Sequence, residues 1–139
     1  MGALHMPGTS SEAVLPHDVL ARLTRQHPNI LLVGPVAFIH GALKSIEPLV
    51  SQPIVSWLPY ETHGLPTAPC STLVIHRVDT ASAEQQQELY GWFETRARQV
   101  QVVATTLASL YPRVTEGTFL ESLYYRLNHV CLMSDRLNG

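Results

Sequence analysis

The chain has 139 residues, 45% hydrophobic and 14% charged, with 9 Lys and Arg against 11 Asp and Glu for a formal charge of −2; this fits one domain with its own core and gives no basic footprint for direct nucleic-acid or anionic-membrane contact. Two cysteines, Cys70 and Cys131, form neither a disulfide framework nor a zinc spacing and read as reduced core thiols. No apolar run approaches the ~18 residues of a membrane helix and no basic-then-apolar start marks a secretion signal, so the expected location is cytoplasmic.

Residues 1–10, MGALHMPGTS, read as a tag or linker, and residues 11–139 as a single domain. Ser10 or Ser11 is placed to cap a helix reaching about His27, interrupted early by Pro16. Val14, Leu15, Val19, Leu20 and Leu23 supply its apolar face, Arg22 and Arg25 point outward, and Pro28 stops it. Ile30–Val33 is the first strand, apolar throughout as in a parallel sheet covered on both faces, and the loop Gly34–Pro35 follows it. Phe38, Ile39, Ala42, Leu43, Ile46 and Leu49 then recur at helical spacing until Pro48 and Pro53.

Ile54–Leu58 is a second strand, and Pro59–Ser71 a proline-, glycine- and threonine-rich connection to the third, Thr72–Ile75, which brings His76, Arg77 and Asp79 to its carboxyl end. A helix starts near Ala81, capped by Thr80 or Ser82, with Leu89, Trp92 or Phe93, Ala97 and Val100 on one face and Gln85, Gln86, Glu88 and Arg96 on the other. Trp92 and Phe93 are adjacent, so one of them is expected in a surface patch. Gln101–Thr105 is a fourth strand, Leu107–Arg113 is irregular or a short helical turn broken by Pro112, Phe119–Leu127 is a final helix and His129–Met133 a fifth strand. Alternation at this spacing predicts a three-layer α/β/α fold on a five-stranded, parallel, doubly wound sheet. Ligands in such sheets meet the loops at the strands' carboxyl ends.

The stretch Asn29–Gly41, NILLVGPVAFIHG, begins like a strand entering a phosphate loop. In the pattern G-x-x-x-x-G-K-[ST], glycines let backbone amides wrap the phosphates, the lysine reaches the β- and γ-phosphates and the hydroxyl holds Mg²⁺. Counted from Gly34, the second glycine is Ile39, the lysine is His40 and the hydroxyl is Gly41. The frame fits and the chemistry is missing.

Thr115–Leu132, TEGTFLESLYYRLNHVCL, resembles the EGxFRxDLYYRLNVxxL segment of the NtrC-type AAA+ activators of sigma-54 RNA polymerase. STLVIHRVDTASAEQQQELYGWFE is similar in register to that family's GTLFLDEVxxLxxxxQxxLLxxLE, and VQVVATT to its VRVIAATN, so the likeness covers about Ser11–Leu132. The resemblance implies a P-loop NTPase-like AAA+ core, here without the helical lid, and a bacterial transcription regulator of the response-regulator kind. It also implies where the nucleotide site would stand. The family's two strand-three acids, which hold Mg²⁺, are His76 and Arg77 here; two basic groups cannot replace two carboxylates around a divalent metal. Asp79, two positions on, is displaced by about 7 Å if the strand continues. Thr106 stands at the sensor asparagine, and of the two arginines that the family presents across a subunit interface, the first aligns with Leu120 and the second with Arg126. The GAFTGA loop that touches the sigma factor has no counterpart in the compact Pro59–Ser71 run.

The expectation is therefore a degenerate form of this domain with nucleotide-site positions at Gly34, His40, Gly41, His76, Arg77 and Thr106, a pseudo-ATPase without catalytic residues, cofactor or metal. Its work would be contact with protein partners, through self-association or with the sigma-54 machinery, inside a larger regulator. Arg126 is either a trans-acting arginine or a salt bridge at the helix end. His40 and His76 at neighbouring loop ends could share a metal, or with Arg77 an anion, against the plainer role of hydrogen-bonded loop histidines. The alternatives are an ATP-binding AAA+ activator domain with an atypical P-loop or a site completed by a partner subunit, and a small-molecule sensor using the vacated pocket.

Overall fold

The computed structural model of the chain describes residues 3–6, 17–96 and 100–134. Strands β1 (Ala3–Met6), β2 (Ile30–Val33), β3 (Ile54–Trp57), β4 (Thr72–Ile75), β5 (Gln101–Thr106) and β6 (Val130–Ser134) form a parallel sheet in the order β1-β6-β2-β5-β4-β3. Five are the expected strands, each within a residue or two of its expected bounds. The sixth, β1, falls on residues set aside as tag or linker and pairs with the outer side of β6, Ala3 opposite Cys131.

Helices α1 (His17–Arg25) and α2 (Val36–Ile46) cover one face of the sheet. The other carries α3 (Ala83–Arg96), α4 (Tyr111–Glu116) and α5 (Glu121–Leu127). The central strand β2 shows why its sequence is apolar without alternation: Ile30 and Leu32 enter the first core, with Val19, Leu23 and Phe38, whereas Leu31 and Val33 enter the second, with Phe93, Phe119 and Leu127. The expected cap and start of the first helix, including Val14, Leu15 and Pro16, and the position of Ala97 lie outside the described residues.

Three local expectations are corrected. Gln85 and Gln86 do not face solvent but are 4% and 2% exposed. Gln85 closes a reciprocal cap with Ser82: its backbone N–H donates to Ser82 Oγ at 3.1 Å, and its Oε1 accepts from Ser82 N–H at 2.8 Å. Gln86 donates from Nε2 to the Ala81 and Thr118 carbonyls, both at 3.2 Å, and accepts from Leu120 N–H at 2.8 Å. Apolar periodicity sorts glutamine to the surface, but an amide is the side chain that can satisfy loop backbone in the interior. Likewise, Pro112 does not break a helix; it sits in the first turn of α4, where no intrahelical donor is needed. Finally, Asp79 does not continue the third strand, because β4 ends at Ile75 and residues Val78–Thr80 form a 3₁₀ turn.

Candidate nucleotide site

The carboxyl ends of β2, β4 and β5 meet where a nucleotide site is expected in this architecture. β2 passes into α2 through Gly34 and Pro35 alone, with Pro35 as the N-cap. A phosphate loop needs several residues between strand and helix to turn its amides inward, and here they are already helical. Ile39, His40 and Gly41 are internal to α2, with Ile39 and Gly41 buried and His40 exposed. His40 thus lies a full turn from the helix start, away from where a phosphate lysine would work.

Gly34 is needed for packing. A Cβ built on it would stand 2.8 Å from Phe38 Cδ2 and 2.8 Å from Ser134 Cβ, so the α2 aromatic and the end of β6 close on its backbone. Its N–H donates to the Thr106 carbonyl at 3.1 Å, tying β2 to β5. Thr106, at the sensor position, is fully buried and its Oγ1 donates to the Ala108 carbonyl at 2.8 Å, which engages the hydroxyl within its own loop.

At the metal-ligand positions the backbone turns sharply, with Arg77 in the left-handed region at φ 58°. Arg77 N–H donates to Thr105 Oγ1 at 2.9 Å, while its guanidinium grips Asp79 through Nε–Oδ1 at 3.0 Å and Nη2–Oδ2 at 2.9 Å. The hydrogen bond to Asp79 is the main reason the Arg77 pKa is raised further. The Asp79 carbonyl in turn accepts from Arg113 Nη1, so both polar ends of that residue are occupied.

His76 turns to Ser56. Its Nε2 pairs with Ser56 Oγ at 3.3 Å beside a cavity of about 130 Å³, lined also by Leu43, Ile46, Val74 and Val103. Burial lowers its pKa. Among the described residues no convergent group of three metal-ligating side chains includes either histidine. Arg126 lies on α5 with Nη2 3.0 Å from Glu94 Oε2 and its guanidinium 5.8 Å from the Tyr90 ring centre. Trp92 is half-buried and meets buried Phe93 edge-on, so neither makes an isolated surface patch.

A larger cavity, about 1370 Å³, opens at the opposite end of the sheet, against Asn29, Cys70, Gln101 and His129 at the amino ends of the strands. It is not where doubly wound sheets place their ligands. Cys131 is buried, and that burial pushes its thiol up to about 11, so it stays protonated. Among the described residues no helix is long and apolar enough to cross a membrane. Sequence reading had no signal for the Gln85 and Gln86 amides or for the turn at Arg77, because each depends on a partner distant in sequence or on backbone conformation.

Comparison with known proteins agrees with this fold. No curated protein matches the sequence. NtrX from Brucella abortus, solved in complex with ATP, is 18% identical and superposes with a TM-score of 0.67 over 84% of this chain and 33% of its own. The same protein with ADP gives 0.66 at 18% identity, over 84% and 34%. The P-loop NTPase domain of the sigma-54 transport activator from E. coli gives 0.56 at 16% identity, over 78% of this chain and 97% of its own. The chain therefore spans about a third of the length of the NtrX structures, and these likenesses establish the P-loop NTPase-like fold. The family model described as "Sigma-54 interaction domain" matches residues 43–137, well over half of the sequence and starting beyond Gly34–Gly41. On that match and this fold, the chain belongs to the sigma-54 interaction domain family.

Proposed function

We propose that this chain is a sigma-54 interaction domain that acts through protein contacts, with the sigma-54 machinery or with its own copies, and that it does not hydrolyse ATP. The observation that carries this reading is the two-residue passage Gly34–Pro35 from β2 to α2, which leaves no loop to wrap a triphosphate. The second half of the site supports it. A guanidinium stands where a Mg²⁺ ligand is needed, and the nearest carboxylate, Asp79, is bound to it. Regulation then runs through domains joined to this one in a larger cytoplasmic regulator. Titration calorimetry with ATP and Mg²⁺, alongside a phosphate-release assay, tests the reading: neither binding nor release is expected, and micromolar affinity or measurable turnover overturns it.

A second reading is favoured by the fold shared with NtrX, which was solved with ATP. It holds that the chain binds nucleotide through atypical residues or with a site completed by a neighbour. It requires ATP to raise the melting temperature, since a ligand that binds only the native state stabilises it. It also requires Arg126→Ala to lower any turnover, which the first reading does not.

A further inference from the structure

We propose that His63, Glu84 and Glu88 form a surface site for a divalent transition metal such as zinc, clamping the connection between β3 and β4 onto α3. One potential ligand atom from each of the three residues lies within 4.8 Å of the other two. Glu84 and Glu88 are four apart on α3 and so share one helix face. His63 comes from the Pro59–Ser71 connection. Its Nε2 stands 3.5 Å from Glu84 Oε1, longer than a well-formed charge-assisted hydrogen bond. Two ligands on one tetrahedral zinc, each about 2.1 Å from the metal, stand about 3.4 Å apart, so this pair already has the separation of a shared ion.

The backbones on both sides are held in place. Gln85, buried between the two carboxylates in sequence, donates from Nε2 to the Pro59 and His63 carbonyls, each at 3.0 Å. Trp57, also buried, donates from Nε1 to the Thr62 carbonyl at 3.0 Å. The loop segment carrying His63 is thus fixed to the start of α3 before any metal arrives, and the side chains, 65% exposed at His63 and 71% at Glu84, need only rotate. Without a cation, Glu84 and Glu88 are like charges at a repelling spacing on the helix. One imidazole with two carboxylates suits zinc, cobalt or nickel better than the all-oxygen shells of Mg²⁺ and Ca²⁺. Three protein ligands leave the fourth tetrahedral position to water.

Titration of the intact chain with zinc chloride, followed by calorimetry, tests the site. One equivalent is expected to bind in the micromolar range, with His63→Ala and Glu88→Gln each weakening it by roughly tenfold or more and Glu47→Gln leaving it unchanged. Cobalt is expected to give visible absorption bands that His63→Ala abolishes, and zinc to slow amide exchange across Pro59–Ser71. Because these side chains are exposed, the variants should melt like the parent without metal. An absence of binding up to millimolar zinc, or wild-type affinity in His63→Ala, overturns the proposal.

Discussion

Arg77 and Asp79 are locked to each other by two bonds, Nε to Oδ1 at 3.0 Å and Nη2 to Oδ2 at 2.9 Å, so the one carboxylate beyond the end of β4 is already neutralised. The pair is possible only because Arg77 takes a left-handed conformation and starts a 3₁₀ turn, which folds Asp79 back beside it. Restoring acids at the metal positions therefore leaves the site incomplete. The double variant His76→Asp, Arg77→Glu is expected to show no phosphate release above buffer, because the passage at Gly34–Pro35 is unchanged. Turnover in that variant would show that the missing carboxylates alone had silenced the site.

Gly34→Ala tests the packing at the same passage. The added methyl meets Phe38 Cδ2 and Ser134 Cβ, both at 2.8 Å, at a φ of +158° that L residues rarely adopt. A loss of about 1–3 kcal/mol is expected from such overpacking, read from urea denaturation midpoints. An unchanged midpoint would mean that the α2 aromatic yields freely.

Gln86→Leu keeps the volume of a buried side chain and removes its amide. The Leu120 N–H then loses its 2.8 Å acceptor, and the Ala81 and Thr118 carbonyls lose their 3.2 Å donors. The exposed Thr118 carbonyl keeps its bond from Arg113 Nη2 at 3.3 Å, and a cost of about 2–4 kcal/mol follows from stranding the Leu120 N–H and the Ala81 carbonyl. The outward-facing Gln87→Leu should cost less than about 0.5 kcal/mol.

Stability should fall on mild acidification. His129 has its pKa lowered, first by desolvation and then by Arg126, and His76 by desolvation. A histidine whose folded pKa is depressed binds a proton more readily in the unfolded chain, so stability is full above the unfolded value of about 6.5 and declines as pH drops through it toward the folded value. His129 Nδ1 accepts from Asn29 N–H at 3.3 Å, a bond that requires the unprotonated nitrogen. The urea midpoint is expected to be lower at pH 5 than at pH 7.5. His129→Gln should flatten that dependence, and an equally steep profile in the variant would assign the effect elsewhere.

Much of this architecture is written in local pattern. Short apolar runs such as Ile30–Val33 and Leu73–Ile75, bounded by turn residues, fit strands covered on both faces, and helical spacing in Phe38–Ile46 places one side against them. The absence of glycine at residue 39, lysine at residue 40, a hydroxyl at residue 41 and acids at residues 76 and 77 was equally legible, because a nucleotide site needs particular functional groups. Sequence alone also carried the Leu123–Asn128 run that resembles the family.

Only the tertiary structure decided what these residues do instead. Helical spacing from Phe38 onward already placed residues 39–41 in a helix, but that α2 begins at Val36, two residues after β2, is set by the backbone and not by apolar periodicity. The edge strand Ala3–Met6 is defined by the backbone of β6, 128 residues further on at Cys131. Glutamines 85 and 86 are buried because distant loop carbonyls and an N–H come to them, and His63 reaches Glu84 because Gln85 and Trp57 hold its loop there. Periodicity reports which side of an element is apolar; it carries no information on which polar groups from elsewhere arrive on that side, and those arrivals fix the chemistry here.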